Sequence, residues 1–217
     1  RMMGDLAGDV SNCVFMNNSW ASKSGFQAGA AISIGGAYSA DMTGFTDCEF
    51  SGNVFENGTR PRGAGIGVDG NFTGRLVRCS FTGNSVGGTS SLGGAIYIGA
   101  GLVAMDETPV VDTCVFDRNV AVTAVFGGGI SLEDRLQGDI HDSRFAENAA
   151  NISGGAIYSN GFNSVGNLVN NDFIGNLAES DAFSERSAGA VRFRGIDGGF
   201  QGNLWLGNEA NMMGTGS

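Results

Sequence analysis

The sequence predicts an all-β protein, a right-handed parallel β-helix or solenoid of about seven coils with three short strands each, filling residues 1–217 as one domain. Three observations predict it. A string of small residues ending in an apolar anchor is written twice nearly intact, as "GGAIYI" at 93–98 and "GGAIYS" at 154–159. A second string, an aromatic residue followed three positions later by asparagine, alternates with the first. The units run 27 to 35 residues, which is short of the ~40 residues and four strands of a propeller blade.

The anchors of the first string are Ile32, Ile66, Ile96, Ile130, Ile157 and Val191, at spacings of 34, 30, 34, 27 and 34. Helical repeats such as tetratricopeptides are seldom so irregular. The second string pairs Phe15 with Asn18, Phe50 with Asn53, Phe81 with Asn84, Phe116 with Asn119, Phe145 with Asn148, Phe173 with Asn176 and Trp205 with Asn208. Two residues before each aromatic stand Cys13, Cys48, Cys79, Cys114, Ser143, Asn171 and Asn203; five before it stand Val10, Phe45, Leu76, Val111, Ile140, Leu168 and Phe200. Four columns in register over seven copies define a repeat.

Each unit reads as three strands. The first, as in "GRLV" or "GNLV", turns its apolar residue inward. In the second, as in "CSF", period-two alternation puts the cysteine and the phenylalanine on one face. The offset of three between Val10 and Cys13 would put them on opposite faces of a straight strand, so a corner is expected between them. The third strand is the Ile string, its small residues allowing close backbone approach. Coils stacked about 4.8 Å apart would turn the Ile, Phe and Asn columns into ladders, with Asn amides donating and accepting along the axis.

The 38 glycines are consistent with such a fold where they mark its turns, and no run of 18 uncharged apolar residues offers a spanning helix. The first residues, "RMMGDLAGDV", already fall inside a repeat, so the chain is expected to be a fragment of a longer one. The last aromatic and Asn pair is followed by "EANMMGTGS" with no further Ile string, and bare coil ends invite more of the same chain or neighbouring copies. A net charge of −10, spread along the chain, argues against nucleic acid and anionic membrane as partners.

Phe-x-x-Asn alternating with Gly-Gly-Ala-Ile resembles the paired signature of the chlamydial polymorphic outer-membrane proteins. The second motif is complete only at Gly93–Ile96 and Gly154–Ile157, and relaxed elsewhere. The resemblance implies the passenger of an autotransporter adhesin at the cell surface or outside the cell. The β-barrel translocator of that family is not in these residues.

Parallel β-helices also carry polysaccharide lyases and hydrolases, and a site of that kind would lie on the outward columns. The third strand presents Ser33, Gly67, Tyr97, Ser131, Tyr158 and Arg192, with no carboxylate, and Tyr97 or Tyr158 could stack a sugar ring, with Arg192 beside them. Asp112 and His141 share an outward column one coil apart, next to Asp142 and near Asp117, Arg118, Arg144, Glu147 and Asp172. That group reads either as a carboxylate orienting a histidine general base or as surface charge, with Arg144 beside Asp172 and Arg118 beside Glu147. The structural reading is preferred, and no catalytic residue is assigned.

One histidine with no cysteine beside it does not make a zinc site, the "DG" turns at Asp69 and Asp197 lack the spaced acids of a calcium loop, and no cofactor is implied. The four cysteines, stacked on one inward column, are expected as buried free thiols, since the rung spacing exceeds the Cβ separation a disulfide prefers. Sequons begin at Asn17, Asn57, Asn71 and Asn151, of which Asn57 and Asn71 fall in expected loops. The loops vary most: 14 residues from Asn18 to Ile32, 9 from Asn148 to Ile157 and 15 from Asn176 to Val191, the last including "ESDAFSER". The expected function is a non-enzymatic surface or extracellular scaffold whose loops meet a protein or glycan. The alternatives are a polysaccharide-active enzyme or a glycan-binding module.

Overall fold

A computed structural model describes residues 6–21, 26–35, 38–58, 60–88, 91–104, 106, 108–122, 126–180 and 188–212. Among them there is no helix, and every strand pairing is parallel. The chain winds through four main sheets, one more than the three-strand coil expected from the sequence. The Phe column forms a seven-stranded sheet from Val14–Met16 to Leu204–Leu206. The Ile column forms a six-stranded sheet from Ile32–Ile34 to Val191–Phe193. The column that begins at Val10–Ser11 belongs to a ten-stranded sheet, because its long strand Tyr38–Thr46 is matched in later coils by two pieces, such as Leu136–Gln137 and Ile140–His141.

The unforeseen sheet follows the asparagines, from Ser19–Ala21 through Ser85–Val86 to Glu209–Met212. Its inner members Phe55, Val86, Ala121, Ala150 and Ala178 are buried. It was missed because some rungs are only two residues long, too short to show an alternation.

The strands turn at two recurrent left-handed corners. The first, between the Val and Cys columns, holds Asn12, Asp47, Arg78, Thr113, Asp142, Asn170 and Gly202, all at φ of 48 to 65°. The second, just before each column asparagine, holds Asn17, Gly52, Gly83, Arg118, Glu147, Gly175 and Gly207. Each first corner reverses the inward face across an odd offset, which is how Phe45 and Cys48 both reach the core.

The asparagine after the second corner spends its whole amide. Asn84 Oδ1 accepts from the backbone N–H of Asn53 at 3.1 Å and its Nδ2 at 2.8 Å. Asn84 Nδ2 donates back to the Phe50 carbonyl at 2.9 Å and on to Asn119 Oδ1 at 2.9 Å. The same chain of bonds runs from Asn18 to Asn208, and the side chains from Asn53 to Asn176 are fully buried. Beside it the Phe rings stack nearly parallel, with centroids 4.7 Å apart and 3° between planes for Phe50 and Phe81, and end on Trp205, 4.4 Å from Phe173.

The cysteine column is a second corner ladder of the same kind. Cys79 N–H donates to Cys114 Sγ at 3.4 Å, Cys114 N–H to Ser143 Oγ at 3.0 Å, and Ser143 N–H to Asn171 Oδ1 at 2.9 Å. Each side chain also donates to a carbonyl of the preceding coil where its length allows, as Cys114 Sγ does to Leu76 and Asn171 Nδ2 to Ile140. The four thiols are unbridged, and burial pushes the Cys114 thiol well up, which keeps it a donor.

The Gly-Gly of the first string divides into two requirements. At Gly93, φ is +66° and a Cβ would lie 2.0 Å from the Ile96 carbonyl oxygen; at Gly94 it would lie 2.2 Å from the Gly128 carbonyl oxygen of the next coil. One glycine makes a corner, and the next lets two coils touch.

Asn119→Ala should lower the urea-derived stability by about 3 kcal/mol, since it strands several buried peptide and amide groups at once. Asn119→Asp should fare no better at neutral pH, because it keeps the acceptor and loses both donors. Cys114→Ser should stay within about 1 kcal/mol of wild type, because Ser143 already serves at the same position of the next coil.

Candidate functional site

The ladders occupy the inward positions, so chemistry is confined to outward side chains and loops. The Asp112 and His141 column is in register as the repeat requires. Its charges, however, are coupled differently from the expected dyad. Asp112 Oδ2 faces Arg75 Nη2 at 3.6 Å, and its Oδ1 accepts from the Thr113 hydroxyl at 3.0 Å. The carboxylate nearest the imidazole is Asp139, whose Oδ2 lies 3.5 Å from His141 Nε2. Asp139 Oδ1 is held by the backbone N–H and Nδ2 of Asn167, at 2.7 and 2.9 Å. His141 Nε2 is buried and makes no hydrogen bond. Sequence spacing missed Asp139 because it stands two residues before His141, outside the strand Ile140–His141 and at the end of the connecting segment.

The neighbouring charge pairs also differ from expectation. The backbones of Arg144 and Asp172 are in register, yet Arg144 Nη1 lies 3.7 Å from Asp117 Oδ1. Arg118 bonds Asp117 as well, Nη2 to Oδ2 at 2.7 Å, and not Glu147. Arg118 and Glu147 both stand on left-handed corners, and Asp117, one residue before Arg118, accepts from Arg118 and faces Arg144 as an ion-pair partner. Asp142 is exposed at its own corner.

On the Ile sheet, Tyr97 was expected on an open face and is instead 1 % exposed. The guanidinium of Arg62, from the preceding coil, lies 4.5 Å from its ring centroid. The approach segments to the Ile strands form a parallel bridge series, Arg62 to Leu92 to Phe126 to Ser153, that sequence columns do not reveal. Gly67 and Ser131 are buried in the same column, while Ser33 is half-buried.

The column opens at Tyr158 and Arg192, which are in register and half-buried. Phe126 stacks on Tyr158 at 4.2 Å, and the Tyr158 hydroxyl donates to Asn160 Oδ1 at 3.2 Å. Arg192 donates to the carbonyl of Phe193. At the following turn Arg194 lies 4.1 Å over the ring of Phe162, which is 58 % exposed. Phe126, Phe162 and Arg194 were not singled out from the sequence, since none belongs to a recurring column. Burial raises the Tyr158 phenol above its ordinary value near 10; Arg192 and Arg194 oppose the shift and Glu133 adds to it.

Among the described residues no group of three or more His, Cys, Asp or Glu side chains is placed to hold a metal ion. The sequon residues Asn17, Asn57 and Asn71 are exposed and Asn151 is half-exposed. Of the charged loop "ESDAFSER", residues 181–186 lie outside the described residues.

Stacked parallel rungs, left-handed corners and continuous side-chain ladders define a β-solenoid. The chain belongs to the right-handed β-helix region family, whose model matches residues 7–194. No curated protein and no solved structure matches it.

A raised phenol pKa means the folded state holds that proton more tightly than the unfolded chain does. Its contribution to stability is therefore complete below about pH 10 and declines as pH rises through the folded value. Spectrophotometric titration should show Tyr158 ionising late, as a step that Tyr158→Phe removes, and the same substitution should flatten the alkaline loss of stability.

Proposed function

We propose that this chain is a non-enzymatic extracellular or cell-surface scaffold serving adhesion or structural assembly. The observation that carries the reading is the unbroken Asn ladder from Asn18 to Asn208, which fixes the register of the stacked coils while the segments between Asn and Ile columns vary from 9 to 15 residues. A rigid support with variable loops is an arrangement suited to recognition. The likeness of Phe-x-x-Asn and Gly-Gly-Ala-Ile to chlamydial polymorphic outer-membrane proteins supports an autotransporter passenger in particular.

Assembly with neighbouring copies or segments belongs to the same reading. The Phe sheet carries Glu49, Ser80, Arg144 and Asp172 outside with Val115 half-buried among them, and its outer coils present Val14, Met16, Leu204 and Leu206, each at least 47 % exposed. Apolar patches of this kind mark contact surfaces.

A second reading, a polysaccharide lyase or hydrolase, is favoured by one observation: His141 Nε2 is buried, unbonded and 3.5 Å from Asp139. The two readings separate in one assay. The purified chain is applied to surface proteins, glycans and intact cells, with polysaccharide cleavage followed in the same samples. The scaffold reading expects binding without turnover, unchanged in His141→Ala. Cleavage abolished by His141→Ala in a folded protein would establish the enzyme instead.

A further inference from the structure

Most of the arginine side chains that the structure describes are paired with a carboxylate. Arg62, Arg75, Arg78, Arg118 and Arg144 each have a carboxylate within 4.0 Å. Among the described residues, Arg135, Arg192 and Arg194 have none; Arg135 follows the Ile-sheet strand Ile130–Leu132, and Arg192 and Arg194 stand on and just after Val191–Phe193. Arg192 is the rung neighbour of Tyr158, and Arg194 N–H donates to the Ser159 carbonyl, placing its turn directly against the one that carries Asn160 and Phe162. The Gly161 N–H bonds the Asp134 carbonyl, which brings the Arg135 turn to the other side of Phe162. One uncompensated guanidinium thus lies over the Phe162 ring and a second stands on the rung next to Tyr158, at one corner of a chain whose net charge is −10.

We propose that the corner carrying Tyr158, Phe162, Arg192 and Arg194 binds an acidic saccharide, a sugar bearing a carboxylate. The inference rests on the scaffold reading and names a ligand class for it. Arg194 covers one face of Phe162, and the exposed remainder of the ring is a platform for the apolar face of a pyranose. Arg192 spends one donor on the Phe193 carbonyl and keeps the others, and a guanidinium fork matches a carboxylate. Asn160, Glu133 and Asp134 supply acceptors for sugar hydroxyls. Those two carboxylates also decide against a polyanion such as nucleic acid, which they would repel; one carboxylate per ring among many hydroxyls suits the mixture. Glu133, Arg192 and Arg194 all act on the Tyr158 hydroxyl, so the charged groups form one local field.

Calorimetric titration of the intact chain with a galacturonic acid tetrasaccharide, and with the neutral galactose tetrasaccharide, tests the site. Binding of the acidic probe should be about tenfold tighter than of the neutral one, and Phe162→Ala and Arg194→Ala should each weaken it about tenfold. Arg118→Ala, an exposed arginine at a corner of another sheet, should leave it unchanged. Phe162 is exposed, so its variant keeps the fold, which urea unfolding verifies. Absence of acidic-probe binding at millimolar concentration, or equal binding by wild type and the two variants, overturns the site. Retained binding to cells or surface proteins in that event would leave the scaffold reading standing, whereas turnover of the tetrasaccharide would overturn the scaffold and leave the site.

Discussion

The corner asparagine is the interaction on which the rest of this structure depends. Each sharp turn of a coil removes peptide groups from the sheet ladders and buries them, and an unpaired buried peptide group costs about 1–3 kcal/mol. A side chain that answers this must accept from the coil before, donate to the coil after, and donate back to a carbonyl, all from one carbon's reach. Aspartate lacks the donors, serine has a single one, and glutamine is a methylene too long. Asn84, Asn119 and Asn148 meet every one of these demands, so the coils cannot slip by one residue without breaking the ladder. With the register locked, the phenylalanine three residues earlier has its ring set on the one below, and the core follows.

The same turns create the molecule's strained positions. A non-glycine residue in the left-handed region costs roughly 1 kcal/mol, and Thr113, being β-branched, is an unusual occupant. Its N–H nonetheless donates to the His141 carbonyl, as those of Arg78 and Asp142 donate to Asp112 and Val169. Bonds gained along the axis offset the strain of the corner. Because a corner side chain projects outward, these columns also gather surface charge, and the Arg78 guanidinium beside Asp47 holds that carboxyl below its ordinary value. Strain and surface charge coincide for one geometric reason.

That distinction explains what could be read from the sequence. Phe, Asn, Ile and Val columns were legible because every rung repeats one kind of residue, and a kind repeated six or seven times becomes a pattern in the letters. The corner between Val10 and Cys13 was legible because alternation forbade a straight strand. The sheet after the asparagines was not, since Ser85–Val86 or Ala149–Ala150 offer no alternation to read. Nor were the single contacts of the outer face: Arg62 over Tyr97, Asp139 beside His141, Arg194 over Phe162. Each joins segments whose spacing differs from coil to coil, so no column announces it.

The energetic scales of core and loop keep these two parts of the sequence apart. Lengthening the segment between the Asn and Ile columns from 9 to 14 residues, the difference between two coils here, costs about 0.4 kcal/mol of closure entropy. Losing one asparagine rung costs several times as much. Substitutions and insertions are therefore cheap outside and expensive inside, and the loops are free to differ while Asn18 through Asn208 stay constant within a single chain. A surface feature on such a scaffold is set by a few residues on adjacent turns, held a rung apart by ladders that do not respond to it. Groups as unlike as Phe162 and Arg194 can thus be brought side by side without disturbing any element of the core.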